Sequence, residues 1–239
     1  MSETYYAGSY WGIRKEPPDS CARRLEDFLL GLSRVDSSFA HWYETAKSLK
    51  ESLKRPLRPI REELVKFVQK NKDPAFDDLG FSLGAWNGAP NDHEDCAFLI
   101  RCGGHHARAN NRCVFSLPSR GSSAERVLTA SVLADMLRAT ASAWEPDWGV
   151  AMSHSHRDLV ESRRVPKAPY LGWVTYLARH RGTVPPLPAP VRVEPVEDKG
   201  TLIVLTPERF TASNPEHVAL AETVRELLDQ AGLLKPLMS

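Results

Sequence analysis

Apolar side chains fall on both faces of the run Leu171 to Ala178, with Leu171, Trp173 and Leu177 on one and Val174, Tyr176 and Ala178 on the other. A period-two run that is apolar on both sides predicts a strand in the middle of a covered sheet. Gly149-Val150-Ala151-Met152 predicts a short strand just upstream. Pro146 separates that strand from a helix ending at Trp144, because proline lacks an amide donor and disfavours helical geometry at the residue before it. Trp148, Trp173 and Tyr176 bring a large apolar area to this region, which is the expected core.

Helical spacing dominates elsewhere. Leu25, Phe28, Leu29 and Leu32 form one apolar face behind Pro17-Pro18-Asp19-Ser20, with Asp19 or Ser20 as the expected cap. Ile60, Leu64, Phe67 and Val68 repeat the pattern after Pro59. Ser122-Ser123-Ala124-Glu125 reads as a capping box opening the longest helix, with Leu128, Leu133, Val132, Met136 and Leu137 on a wide buried face. Asn214-Pro215-Glu216 begins the last helix, whose stripe is Leu220, Val224, Leu227 and Leu228.

Short strands are expected at Tyr5 to Trp11, with Gly8 marking a bulge or a close backbone approach, and at Phe81 to Trp86, Cys96 to Cys102 and Asn111 to Leu117. The last three are joined by links too short for a crossover helix and so form an antiparallel meander. Val191 to Val196 and Thr201 to Leu205 flank a turn and read as a hairpin, after an extended Val184–Pro190 connector. Ser37 to Leu53 reads as an irregular, partly helical excursion, and Ser153 to Lys167 as an exposed basic loop with one helical turn. The order of elements predicts an α+β fold: a mainly antiparallel sheet covered by helices, in a single domain spanning residues 1–239.

Composition narrows the function classes. The 239 residues are 42% hydrophobic and 26% charged, ordinary values for a globular chain, with a net charge of +1. No global field points to nucleic acid or membrane, and no apolar run is long enough to span a bilayer. Without a secretory leader, Cys21, Cys96, Cys102 and Cys113 are expected to be free thiols in a cytoplasmic protein.

Catalytic signatures are lacking. The chain contains no Gly-x-Ser-x-Gly elbow, phosphate-cradling loop, His-Glu-x-x-His helix or dinucleotide fingerprint. Glu145 and Asp147 flank a proline and read as helix-end and turn residues rather than as an acid–base pair, which would need a raised pKa and a cleft. Cys102-Gly103-Gly104-His105-His106 lacks the paired spacing of a zinc site and reads as a turn. His154 and His156 would share a face if their strand continued, but Arg157, Arg163, Arg164 and Lys167 follow, and cations oppose metal binding. The expectation is therefore no catalytic residue, no cofactor, no metal and no small-molecule substrate. The alternative is a metal-dependent hydrolase or metal-binding module built on His93, His105, His154 and flanking acids.

Eight motifs, in order, resemble the immunity protein 52 family of bacterial polymorphic toxin systems. They are Tyr5-Tyr6-Ala7-Gly8 with Tyr10-Trp11-Gly12, Leu53-Lys54-Arg55-Pro56, Leu79-Gly80-Phe81-Ser82, Trp86-Asn87-Gly88, Glu145-Pro146-Asp147-Trp148-Gly149, Gly172-Trp173-Val174-Thr175-Tyr176-Leu177, Gly200-Thr201-Leu202-Ile203 and Asn214-Pro215-Glu216-His217-Val218. The resemblance covers nearly the whole chain and is weakest from Ala89 to Gly121, which marks that stretch as variable. It implies a cytoplasmic antidote, not an enzyme, that binds the catalytic domain of a cognate secreted toxin. That toxin would be a restriction-endonuclease-like nuclease delivered by type VI secretion, neutralised by covering its active site. The family supplies no catalytic residues to carry over. Two toxin-contacting segments compete: Asp92, Glu94 and Asp95, reaching a basic substrate groove, and Arg157, Arg163 and Arg164, reaching catalytic acids. Each could equally be an ordinary solvated loop.

Overall fold

The computed structural model describes residues 3–106 and 111–236. Its centre is β1 (Tyr5–Trp11), which pairs antiparallel with β5 (Asn111–Ser116) on one side and β6 (Trp148–Ser153) on the other. Outward beyond β5 lie β4 (Ala97–Cys102), β3 (Phe81–Trp86) and the two-residue β2 (Tyr43–Glu44). Beyond β6 lie β7 (Val174–Ala178), β9 (Gly200–Val204) and β8 (Arg192–Val196). The result among the described residues is one nine-stranded sheet in which every pairing is antiparallel. The meander and the hairpin form as their turns dictate, and β7 is an internal strand with all five residues buried, as two-sided apolarity requires.

The sheet's two faces are treated differently. The first, which carries Ala7, Ser9 and Trp11 of β1, is covered by three helices: α1 (Pro18–Leu32), α3 (Arg61–Lys70), which lies against β3, and α5 (Ala130–Trp144), which lies against β1, β6 and β7. Trp11 stacks on Trp144 with ring centroids 5.6 Å apart, and Phe28 packs against Phe98, Phe115 and Trp144. Helix α1 buries Cys21, Ala22, Leu25, Phe28, Leu29 and Leu32, the face its spacing predicted. Each large side chain so buried stabilises the fold by roughly 1.5–3 kcal/mol. On the second face the coverage is partial. Val150, Thr175, Leu177 and Ile203 are fully or nearly fully buried there, and α7 (Pro215–Gln230), which buries His217, Ala221, Val224 and Leu228, flanks a hollow lined by Ala168, Tyr170 and Leu171. Gly172 lies so close to the sheet that a Cβ on it would fall 2.5 Å from Val150. Among the described residues no helix packs over β4 and β5 on that face, and Leu99 is 41% exposed, while at β3 the Trp86 indole N–H donates to the Ser52 hydroxyl at 2.5 Å.

Several local expectations change in the fold. Helix α1 takes Pro17 as its N-cap without a side-chain bond, so Asp19 contributes only its charge to the first turn. The capping box at Ser122 does not form. The region splits into α4 (Gly121–Val127), which has no side-chain cap, and α5, capped by the Thr129 hydroxyl accepting from the Val132 amide. Leu128 leaves helical geometry between them and is buried, so the break satisfies core packing. Gly8 is no bulge, since register runs unbroken through it on both sides. Ile60 is exposed at the N-cap of α3 instead of lying on its buried face. The excursion after Ser37 holds a 3-10 turn, β2 and the single turn α2 (Leu49–Ser52). The expected basic loop from Ser153 is largely a helix, α6 (His154–Glu161), started by the Ser153 hydroxyl accepting from the His156 amide. No helix among the described residues is long and apolar enough to cross a membrane.

Candidate partner-binding surface

Asp92, Glu94 and Asp95 sit in the turn between β3 and β4, at the end of the sheet where Trp86, Ala97 and Ser116 align. The turn is anchored. The His93 carbonyl accepts from the Ser119 and Arg120 amides, and Glu94 accepts weakly from the Ser122 hydroxyl at 3.5 Å. Burial and the neighbouring Asp92 raise the Asp95 carboxyl above its usual range. Asp92 is exposed and is the most available acid of the three. Residues 107–110 of the variable Ala89–Gly121 stretch lie outside the described residues.

The three arginines separate. Arg157 leans over the Tyr6 ring, 5.7 Å from its centroid, and pairs with Asp158 at 2.8 Å. Arg164 lies 4.1 Å over Tyr170, donates to the Ala168 carbonyl and pairs with Glu161. The exposed guanidinium of Arg163 has no hydrogen bond or ion pair among the described residues. It lines a different place, an apolar hollow of about 580 Å³ between α6 and α7 that also touches Leu159, Val165 and Glu222. No hydrogen bond or ion pair among the described residues joins the acidic turn to these arginines.

Between the acidic turn and α6 lies the uncovered sheet face. Strand alternation and register place Ser82, Gly84 and Trp86 of β3 beside Arg101, Leu99 and Ala97 of β4, then Arg112, Val114 and Ser116 of β5, then Tyr10, Gly8 and Tyr6 of β1. Trp86 and Tyr43 close the outer flank with rings 6.3 Å apart. On the inner flank a hollow of about 350 Å³ is lined by Tyr6, Tyr10, Val114, Ser116, Arg157 and Tyr170. Burial pushes the Tyr10 hydroxyl pKa up, and Arg112, Arg157 and Arg164 all pull it the other way. Cations from a strand, a helix and a loop therefore converge on one aromatic wall.

Reading the sequence singled out Arg157 and Arg164 here but missed Leu99, Arg101, Arg112 and Val114. The outward positions of β4 and β5 alternate with buried Phe98, Ile100, Cys113 and Phe115, and that alternation was the available signal.

The residues weighed for catalysis have structural work. Glu145 accepts from Lys199 and Arg24, and those hydrogen bonds, Lys199's first, hold its carboxyl below the usual carboxylate range. Asp147 accepts from the Gly12 amide and pairs with His180 at 2.8 Å. A general acid at pH 7 needs the opposite shift. His93 lies at one end of β4 and His105 follows its other end, while His154 opens α6 against Tyr6 and His156 turns inward onto Phe210. No group of three or more His, Cys, Asp or Glu side chains that could hold a metal ion occurs among the described residues.

The model of the family described as Immunity protein 52 matches residues 3–237. No curated protein matches the sequence. Among solved structures the chain resembles the Pseudomonas aeruginosa T6SS protein PA0821, with a TM-score of 0.54 and 13% identity over 94% of this chain and 72% of that one. At that identity the likeness is one of fold alone.

Proposed function

The chain belongs to the Immunity protein 52 family, and on that premise we propose that it is an antidote that binds a cognate toxin and neutralises it by covering the toxin's active site. The toxin would be a nuclease of the restriction-endonuclease-like class delivered by type VI secretion, and the antidote would act in the cytoplasm. What supports binding rather than catalysis is the uncovered face of β4 and β5. A large sheet is shielded on one side, and on the other it presents exposed Leu99 and Arg101 beside half-buried Trp86, Val114, Tyr10 and Arg112. Aromatic residues and arginine are the side chains that most often anchor protein interfaces.

Size decides how that face is used. Four strands about 4.8 Å apart and six residues long, at about 3.4 Å each, give a flat area on the order of 400 Å². A stable interface covers about 800 Å² per partner. The rims must therefore contribute, and they are the Asp92–Asp95 turn at one end and the α6 wall with Arg157 at the side. In this reading the acidic turn and Arg157 border one docking surface, while Arg163 lies outside it.

The test is co-purification of the full chain with the toxin domain encoded beside it, followed by a nuclease assay. An equimolar complex without nuclease activity is the expected result. A folded chain that neither binds nor protects would sink the antidote reading. An inhibited toxin whose crystal structure with the antidote shows an open active site would remove only the occlusion step.

A further inference from the structure

Resting on that reading, we infer that the uncovered sheet face receives a carboxylate-bearing patch of the partner protein, gripped by Arg101 and Arg112 together. The two residues are direct partners in the β4–β5 ladder and project from the same face. Neither guanidinium has a hydrogen bond or ion pair among the described residues. Elsewhere the chain pairs its arginines readily: Arg24 with Glu16, Arg61 with Glu26, Arg138 with Glu194, Arg225 with Glu222. Among the described residues the other strand positions of that face carry no acid: they are Ser82, Gly84, Trp86, Ala97, Leu99, Val114, Ser116, Tyr6, Gly8 and Tyr10. Like charges directly opposite each other weaken a strand pair. Two adjacent arginines without a counter-ion disfavour folding and make the face complementary to an anion.

The surroundings select the kind of anion. Leu99 and Val114 occupy the next outward row of the same two strands, and Tyr10 stands beside Arg112. A partner seated on the face would exclude water around the guanidinium groups, and a planar guanidinium pairs a carboxylate through two parallel hydrogen bonds. Nucleic acid would instead need a longer basic track making many phosphate contacts. Here two arginines are set among apolar and aromatic side chains, in a chain of net charge +1, with the acidic Asp92–Asp95 turn at the border. That arrangement fits an acidic patch with an apolar surround on a protein.

Titration calorimetry of the full chain against the purified toxin domain tests this at several salt concentrations. The variants are Arg101→Gln with Arg112→Gln, and Arg101→Glu with Arg112→Glu. The expected outcome is affinity lowered at least tenfold in the first and at least a hundredfold in the second. The salt dependence should flatten in the first, and thermal midpoints should be unchanged or higher in both. A scan replacing exposed Asp and Glu of the toxin with Lys should yield at least one variant that restores binding to the double-Glu chain. Wild-type binding matched within twofold by both variants would overturn the inference and leave the antidote reading standing. A wild-type chain that fails to bind the toxin at all would overturn both. Tight binding of a 20-nucleotide DNA or RNA probe, lost in the same variants, would assign the arginines to phosphate and overturn the carboxylate.

Discussion

Tyr10 lies folded across Gly8. A Cβ built on Gly8 would stand 2.7 Å from the Tyr10 hydroxyl oxygen, and the Tyr10 ring stacks on Trp148 with centroids 4.3 Å apart. The glycine thus leaves room for a ring that lies along the sheet and forms the inner wall of the proposed docking face. Gly8→Val should force the ring off Trp148 and destabilise the chain by about 1–3 kcal/mol, the usual cost of overpacking. Urea melts would measure that loss. Toxin affinity should fall as well, because the hollow beside Val114 changes shape.

The Arg101–Arg112 pair carries a stability prediction that needs no partner. Two unit charges about 5 Å apart repel by about 1 kcal/mol in water and by more where solvent is partly excluded. Arg112→Thr, which keeps a strand-favouring side chain, should raise stability by about 0.5–1 kcal/mol at low ionic strength. Salt near 1 M, where screening acts within about 3 Å, should erase most of the difference. Thermal melts of the free chain at two salt concentrations read both effects.

His156 should make the fold acid-sensitive. Its side chain is buried, its Nδ1 has no hydrogen-bond partner among the described residues, and its ring packs on Phe210 at 4.7 Å. Burial lowers its pKa from 6.5 to about 4, against the opposing pull of Glu3 and Glu222. The unfolded chain therefore binds the proton more readily than the folded one. Stability from the neutral ring is complete above pH 6.5 and is lost as pH falls toward 4, by at most about 3 kcal/mol. His156→Phe should flatten that part of the profile, measured as the wild-type minus variant difference in urea midpoint between pH 7 and pH 4.

The four cysteines should be silent in the native state. Cys21, Cys96, Cys102 and Cys113 are free and buried, and burial raises the thiol pKa of Cys96, Cys102 and Cys113. Thiolate is the reactive species, so iodoacetamide at pH 8 should label the native chain negligibly and label it fully in 6 M guanidinium. Rapid native labelling, followed by mass spectrometry, would show that one of these sites opens without global unfolding.

Periodicity carried much of the architecture. The α1 face at Leu25, Phe28, Leu29 and Leu32, the meander, the hairpin, the Asn214 cap and the two-sided burial of β7 were all legible, because each depends on neighbours a few residues away. The failures were local signals overruled by packing. Ser122 had the letters of a capping box, yet Leu128 turns into the core and Thr129 starts the helix instead. The cations after Ser153 looked like a loop, yet Arg157 and Arg164 lie along Tyr6 and Tyr170, and His156 fills the core beneath.

The sequence by itself determined what kind of fold forms and, through its ordered motifs, which family it belongs to. It could also show that Arg101 and Arg112 occupy strands. Only the tertiary structure decided that they oppose each other on a face left bare, because strand register and helix placement are set by contacts between residues far apart in the chain. With β1 at the centre of the sheet, α1, α3 and α5 fill one face, and on the other Leu99, Arg101 and Arg112 are left for the proposed partner to cover.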